Sequence, residues 1–85
     1  MSEKKRILVV DDSPTMRRIL VNTVQKAGYS DVKDAEDGKD ALAKLHAGEF
    51  DLFMTDWNMP NMNGLELAQA VRAEDKFKDL PILIV

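Results

Sequence analysis

There is no cysteine in the 85 residues, so neither a disulfide framework nor a thiolate metal site is available, and the chain suits a reducing compartment. Long apolar runs are missing too. The longest near the start, Ile7 to Val10, is well short of the roughly 7 to 15 residues of a signal-peptide core, and nothing could span a bilayer. Charge of one sign is never concentrated: Lys and Arg are scattered among Asp and Glu to a net −3, which gives no basic face for nucleic acid. Repeats and low-complexity stretches are absent. The expectation is a cytoplasmic protein with no membrane segment and no nucleic-acid partner.

What is present is the composition of an ordinary soluble domain, 45% hydrophobic and 32% charged. At 85 residues it is a single domain, smaller than the usual size of about 100 to 150 residues.

Two stretches organise the chain. Leu52 to Thr55 is a short apolar or β-favouring strand running into Asp56, after which Pro60, Asn61 and Asn63 force a loop. An aspartate there can be a mere turn former. Arg6 to Val10, however, is a second such strand, and it ends in two further carboxylates, Asp11 and Asp12. Parallel pairing of the two strands would bring all three acids together.

The rest alternates. Ser13-Pro14 starts a helix, Ser as N-cap and Pro where its missing N–H costs nothing, with Met16, Ile19, Leu20, Val24 and Ala27 at helical spacing up to Gly28. Asp31 to Ala35 reads as a weak edge strand. A second helix begins after Asp37-Gly38, carries Ala41, Leu42 and Leu45 on one face and ends at Gly48; a third opens at Asn63-Gly64 with Leu65, Leu67, Ala68 and Val71. Leu80 to Val85 is a fourth strand. Strict βαβαβαβ alternation with short connections predicts an α/β doubly wound parallel sheet with right-handed crossovers. His46, with no carboxylate or second histidine at ligand spacing, reads as a solvated residue; Lys4, Lys5 and Arg6 read as a solvated lead-in, and the methionines as core and loop filling.

In an open parallel sheet ligands bind at the carboxyl ends of strands where the strand order reverses. Three carboxylates there repel one another unless a proton or cation relieves them, and magnesium, a hard ion that keeps some of its waters, is the natural guest. A carboxylate beside it can act as a nucleophile toward a phosphoryl group. No glycine-rich phosphate loop follows the first strand, which argues against a nucleotide site. Aspartate-based phosphohydrolases typically place their nucleophile in an Asp-x-Asp pattern on the first strand, and Asp11-Asp12-Ser13 does not supply it.

The stretches VVDDSPTMRR (residues 9–18), EDG (36–38), Ala41-Leu42 and TDWNMPNMNG (55–64) together resemble the receiver domain of two-component response regulators, most of all its single-domain chemotaxis type. The resemblance covers essentially the whole chain. It implies the flavodoxin-like strand order 2-1-3-4-5, of which 2-1-3-4 is expected here; that order comes with the family and not from the residue pattern. It implies that Asp56 is the phosphoacceptor for a histidine kinase of the chemotaxis type. Magnesium would be held by Asp12 and Asp56 directly, by the Asn58 main-chain carbonyl, and by Asp11 through a bound water. Trp57 would sense the state of the site, and Gly64 would make the tight turn into the third helix.

In the family a Thr or Ser follows the fourth strand, and a fifth strand carries a switch aromatic and a Lys-Pro pair. With Val85 last, residues 1–85 correspond to the first two thirds of a receiver. The flagellar motor switch is the expected partner of the complete protein. The shorter form is expected to switch poorly and to associate with itself or borrow a strand. A phosphoacceptor that is not an enzyme is the leading expectation; a magnesium-dependent aspartyl-phosphate phosphohydrolase and a non-switching structural fragment are the alternatives.

Overall fold

The computed structural model describes residues 5–57 and 63–84. Its elements are β1 (Arg6–Val10), α1 (Pro14–Lys26), β2 (Asp31–Ala35), α2 (Gly38–Ala47), β3 (Leu52–Thr55), α3 (Gly64–Arg72), a 3-10 turn at Asp75–Phe77, and β4 (Ile82–Ile84). All strand pairs are parallel, in the order β2-β1-β3-β4. Strand–helix alternation dictates the parallel direction, because each helix must return the chain to the same end of the sheet before the next strand begins, and the order is the one the resemblance implies.

β1 is central, and both of its faces are covered. Its alternate residues serve two separate cores. Leu8 and Val10 join Ala35, Ala41, Leu45, Phe53, Leu67, Val71, Phe77 and Leu80 beneath α2 and α3; Ile7 and Val9 join Val24, Leu20, Val21, Val32, Leu52 and Met54 beneath α1. A strand buried on both sides has to be apolar at every position, which Ile7 to Val10 are.

The helix starts follow their residues. Ser13 Oγ accepts from the Met16 amide at 3.3 Å, Asp37 Oδ1 accepts from the Asp40 amide at 2.8 Å, and Asn63 and Glu66 form a reciprocal capping box at 2.8 and 3.1 Å. After α1 the chain turns at Gly28, whose φ of +111° is open to glycine without the penalty a side chain would bring.

Four expectations are corrected. Met16 and Ile19 are exposed at 47% and 49%, because α1 turns Leu20, Val21 and Val24 to the sheet instead; Leu65, on α3, is likewise exposed. Arg6 is no solvated lead-in: its amide donates to Asp51 Oδ2 at 2.8 Å, its guanidinium pairs with Asp31 at 3.2 Å and lies 4.9 Å above the Phe50 ring. His46 is not merely solvated either, since Nε2 lies 3.0 Å from Glu74 Oε2 and its ring meets Phe77 edge-on at 5.5 Å. The 3-10 turn that brings Glu74 and Phe77 to it was not foreseen. Pro60, Asn61 and Val85 lie outside the described residues. No helix among the described residues is long and apolar enough to cross a membrane.

Candidate metal centre

Strand register assembles the site. Val10 pairs with Thr55, and the ladder continues one step further, with the Asp56 amide donating to the Val10 carbonyl at 3.0 Å. On the other side the Asp11 amide donates to the Ala35 carbonyl at 3.2 Å. The first residues past β1 and past β3 are therefore neighbours, and both are aspartates.

Asp11, Asp12 and Asp56 each bring one carboxylate oxygen to a group whose members all lie within 4.8 Å of one another. Asp11 is buried at 4% exposure, Asp56 half-buried and Asp12 exposed. Burial raises the Asp11 pKa above its ordinary 3.8; the Ser13 amide, donating to Asp11 Oδ1 at 2.9 Å, works against that, the charges of Asp56 and Asp12 add to it, and the Arg17 cation opposes it. The carboxyl that the fold buries deepest thus sits against two negative neighbours.

The donor set fits magnesium. Three hard oxygens with no nitrogen or sulfur among them, gathered but not closed into a cage, leave room for the waters that this ion retains. The charge they would share with it is only partly offset by the Ser13 amide and the Arg17 cation.

Behind the site, Thr55 is fully buried and its hydroxyl donates to the Asp56 carbonyl at 3.1 Å. α3 starts hard against the same backbone: the Gly64 amide donates to the Trp57 carbonyl at 2.8 Å, and a Cβ on Gly64 would meet the Asp56 carbonyl oxygen at 2.4 Å. Gly64 is needed for this close approach, a different reason from the tight turn expected. Trp57 is exposed at 47%, next in the chain to Asp56. Asn58 lies outside the described residues.

In the sequence Arg17 carries no sign of a role of its own beyond the MRR run of residues 16–18. The structure joins its Nη1 to the Asp11 carbonyl at 2.9 Å and its Nε to Asp34 Oδ2 at 2.8 Å. The spacing carries no signal for this, since Asp34 is on another strand.

A parallel sheet in this order, with three carboxylates at the mouth of its two central strands, defines a class, and the chain belongs to it: the model of the response regulator receiver domain family matches residues 7–85. Within that class, the chain is similar to chemotaxis proteins named CheY. It is 50% identical over 80 residues to the chemotaxis protein CheY of Pseudomonas aeruginosa, covering 94% of this chain and 64% of that protein. The chemotaxis response regulator CheY4 of Vibrio cholerae superposes with a TM-score of 0.89 at 43% identity, over 96% of this chain and 68% of that one. The response regulator TrrA of Thermotoga maritima, solved with Mg(2+)-BeF, superposes at 0.79 with 44% identity over 85% of this chain and 62% of that one. The complex of TrrA with the histidine kinase ThkA matches at 0.84 with 42% identity, over 94% of this chain and 66% of that one. The chain spans somewhat less than two thirds of the length of the curated relative, at 64%.

Proposed function

We propose that this receiver domain is a magnesium-dependent phosphoacceptor, with Asp56 taking a phosphoryl group from the phosphohistidine of a sensor kinase. The observation that carries the reading is the convergence of Asp11, Asp12 and Asp56, with carboxylate oxygens within 4.8 Å, at the end of the sheet where Asp56 stays open to an incoming group.

In the transfer, an Asp56 oxygen attacks phosphorus, the new O–P bond forms as the P–N bond breaks, and the departing imidazole nitrogen keeps the bonding pair and takes up a proton. Asp56 is held for this by the ladder bond from its amide to Val10 and by the Thr55 hydroxyl on its carbonyl. Asp12 and Asp56, with the Asn58 carbonyl, would hold magnesium directly and Asp11 would do so through a water; the ion, when bound, offsets charge gathering on the phosphoryl oxygens. The acyl phosphate stays on the chain as a signal, so the domain is a switch and not a turnover enzyme. Similarity to the CheY proteins supports chemotaxis as the pathway, a chemotaxis-type kinase as donor, the flagellar motor switch as target of the complete protein, and the cytoplasm as the place. The ThkA–TrrA complex supports a histidine kinase as the class of partner.

The test is exposure to a small phosphodonor such as phosphoramidate, followed by intact-mass and peptide mass spectrometry. A phosphoryl adduct on Asp56, lost in Asp56→Asn, is expected, together with no turnover of p-nitrophenyl phosphate. An adduct that survives Asp56→Asn, or steady hydrolysis of the nitrophenyl ester, contradicts the proposal.

A further inference from the structure

Arg17 lies in the second turn of α1, its side chain mostly buried at 19% exposure, and its guanidinium bridges two strand ends. Nη1 donates to the main-chain carbonyl of Asp11 at 2.9 Å, which is the carbonyl of the peptide between Asp11 and Asp12. Nε donates to Asp34 Oδ2 at 2.8 Å, near the end of β2. Asp34 is itself fixed from the far side, because its main-chain carbonyl accepts from Lys44 Nζ on α2, and Lys44 pairs with Asp40 at 3.3 Å.

The Asp11–Asp12 peptide is thereby gripped at a point with leverage. Ahead of it the Asp11 amide is tied to Ala35, and after it the Ser13 amide is tied to Asp11 Oδ1 at 2.9 Å. Rotation of that one peptide is the motion that would swing the Asp12 carboxylate away from Asp11 and Asp56. No hydrogen bond among the described residues reaches the Asp12 carboxylate itself, so the turn sets its direction.

We propose that Arg17 is the positioning residue of the cation site, orienting Asp12 toward Asp56 by holding the Asp11–Asp12 carbonyl while anchored on Asp34. The inference rests on reading the three carboxylates as a magnesium site. It makes a prediction opposite in sign to that of simple charge. A guanidinium beside a cation site repels the incoming ion, so its removal tightens magnesium binding if charge is all that matters; if Arg17 positions Asp12, its removal weakens binding. Lysine separates the two accounts, since it keeps the charge but lacks the planar fork that reaches two acceptors in different directions.

The experiment is calorimetric titration of magnesium chloride into the wild type and the Arg17→Lys, Arg17→Gln and Asp34→Asn variants, each at a temperature where it is folded. Hydrogen exchange of the Ser13 amide, which donates to Asp11 Oδ1, is measured on the same metal-free proteins. Arg17→Lys and Arg17→Gln are expected to weaken binding by about 10-fold, Asp34→Asn to weaken it less, and all three to speed exchange at Ser13. Wild-type affinity in Arg17→Lys, or unchanged or tighter binding in Arg17→Gln, overturns the proposal, as does unchanged exchange. A lowered unfolding midpoint with unchanged affinity in the folded protein would make Arg17 merely structural and also overturn it. If the wild type takes up no magnesium while the Arg17 variants still speed exchange, the magnesium reading fails and the clamp on the peptide stands.

Discussion

Asp11 bears the electrostatic cost of the site. Burial, assisted by the charges of Asp56 and Asp12, raises its pKa, so the folded state holds the proton more firmly than the unfolded chain does. The contribution to stability is complete below the unfolded carboxylate value near 3.8 and is lost as pH rises through the raised folded value. Asp11→Asn removes that loss while keeping an oxygen for the Ser13 amide. In chelator, the variant is expected to have the higher urea midpoint at neutral pH, with the advantage shrinking as pH falls toward 3.8; a variant less stable at neutral pH contradicts the account. All three acids were legible in the sequence, since the Asp11-Asp12 pair and Asp56 each come at the end of an apolar strand. The roles of Arg17 and His46 were not: their partners Asp34 and Glu74 are 17 and 28 residues away, and only the packed fold sets those distances.

At the scale of elements, the strands and helices were readable because each carries its own signal: apolar runs for β1 and β3, and the caps Ser13, Asp37 and Asn63 for the helices. Less readable was which side of a helix faces inward. Met16 and Ile19 share the helical spacing of Leu20 and Val24, and the docking angle of α1 decides between them. The junction of β3 with α3 gives the sharpest test. At Gly64 a methyl group would lie 2.4 Å from the Asp56 carbonyl oxygen, with backbone that cannot swing aside as a side chain could. Gly64→Ala is expected to cost about 1 to 3 kcal/mol and to shift Asp56. Gly28→Ala meets nothing within 4 Å and carries only the conformational penalty of its φ of +111°, about 1 to 2 kcal/mol. Urea denaturation of the two variants gives the stability losses, and the Asp56 amide resonance reports the site. A Gly64→Ala protein with native stability and an unmoved Asp56 signal contradicts the close approach.

For the whole molecule, two exposed apolar features bear on association. Among the described residues β4 has one strand neighbour, β3, and Leu83 on it is exposed at 48%; on α1, Met16 and Ile19 are exposed as well. An apolar edge with unpaired backbone groups invites another chain. The 85-residue chain is therefore expected to self-associate, with a weight-average mass that rises with concentration in sedimentation; a monomer across the series contradicts this. The central claim also belongs to this scale, because Asp56 is separated from Asp11 and Asp12 by about half of the chain and meets them only when the sheet closes around β1. Trp57, the single tryptophan, stands beside the site and reports on it. The most direct measurement is its fluorescence during a magnesium titration of the wild type and of Asp12→Asn. A saturable change that Asp12→Asn abolishes is what three carboxylates acting as one cation site predict; the same response in both proteins, or none in the wild type, would contradict it.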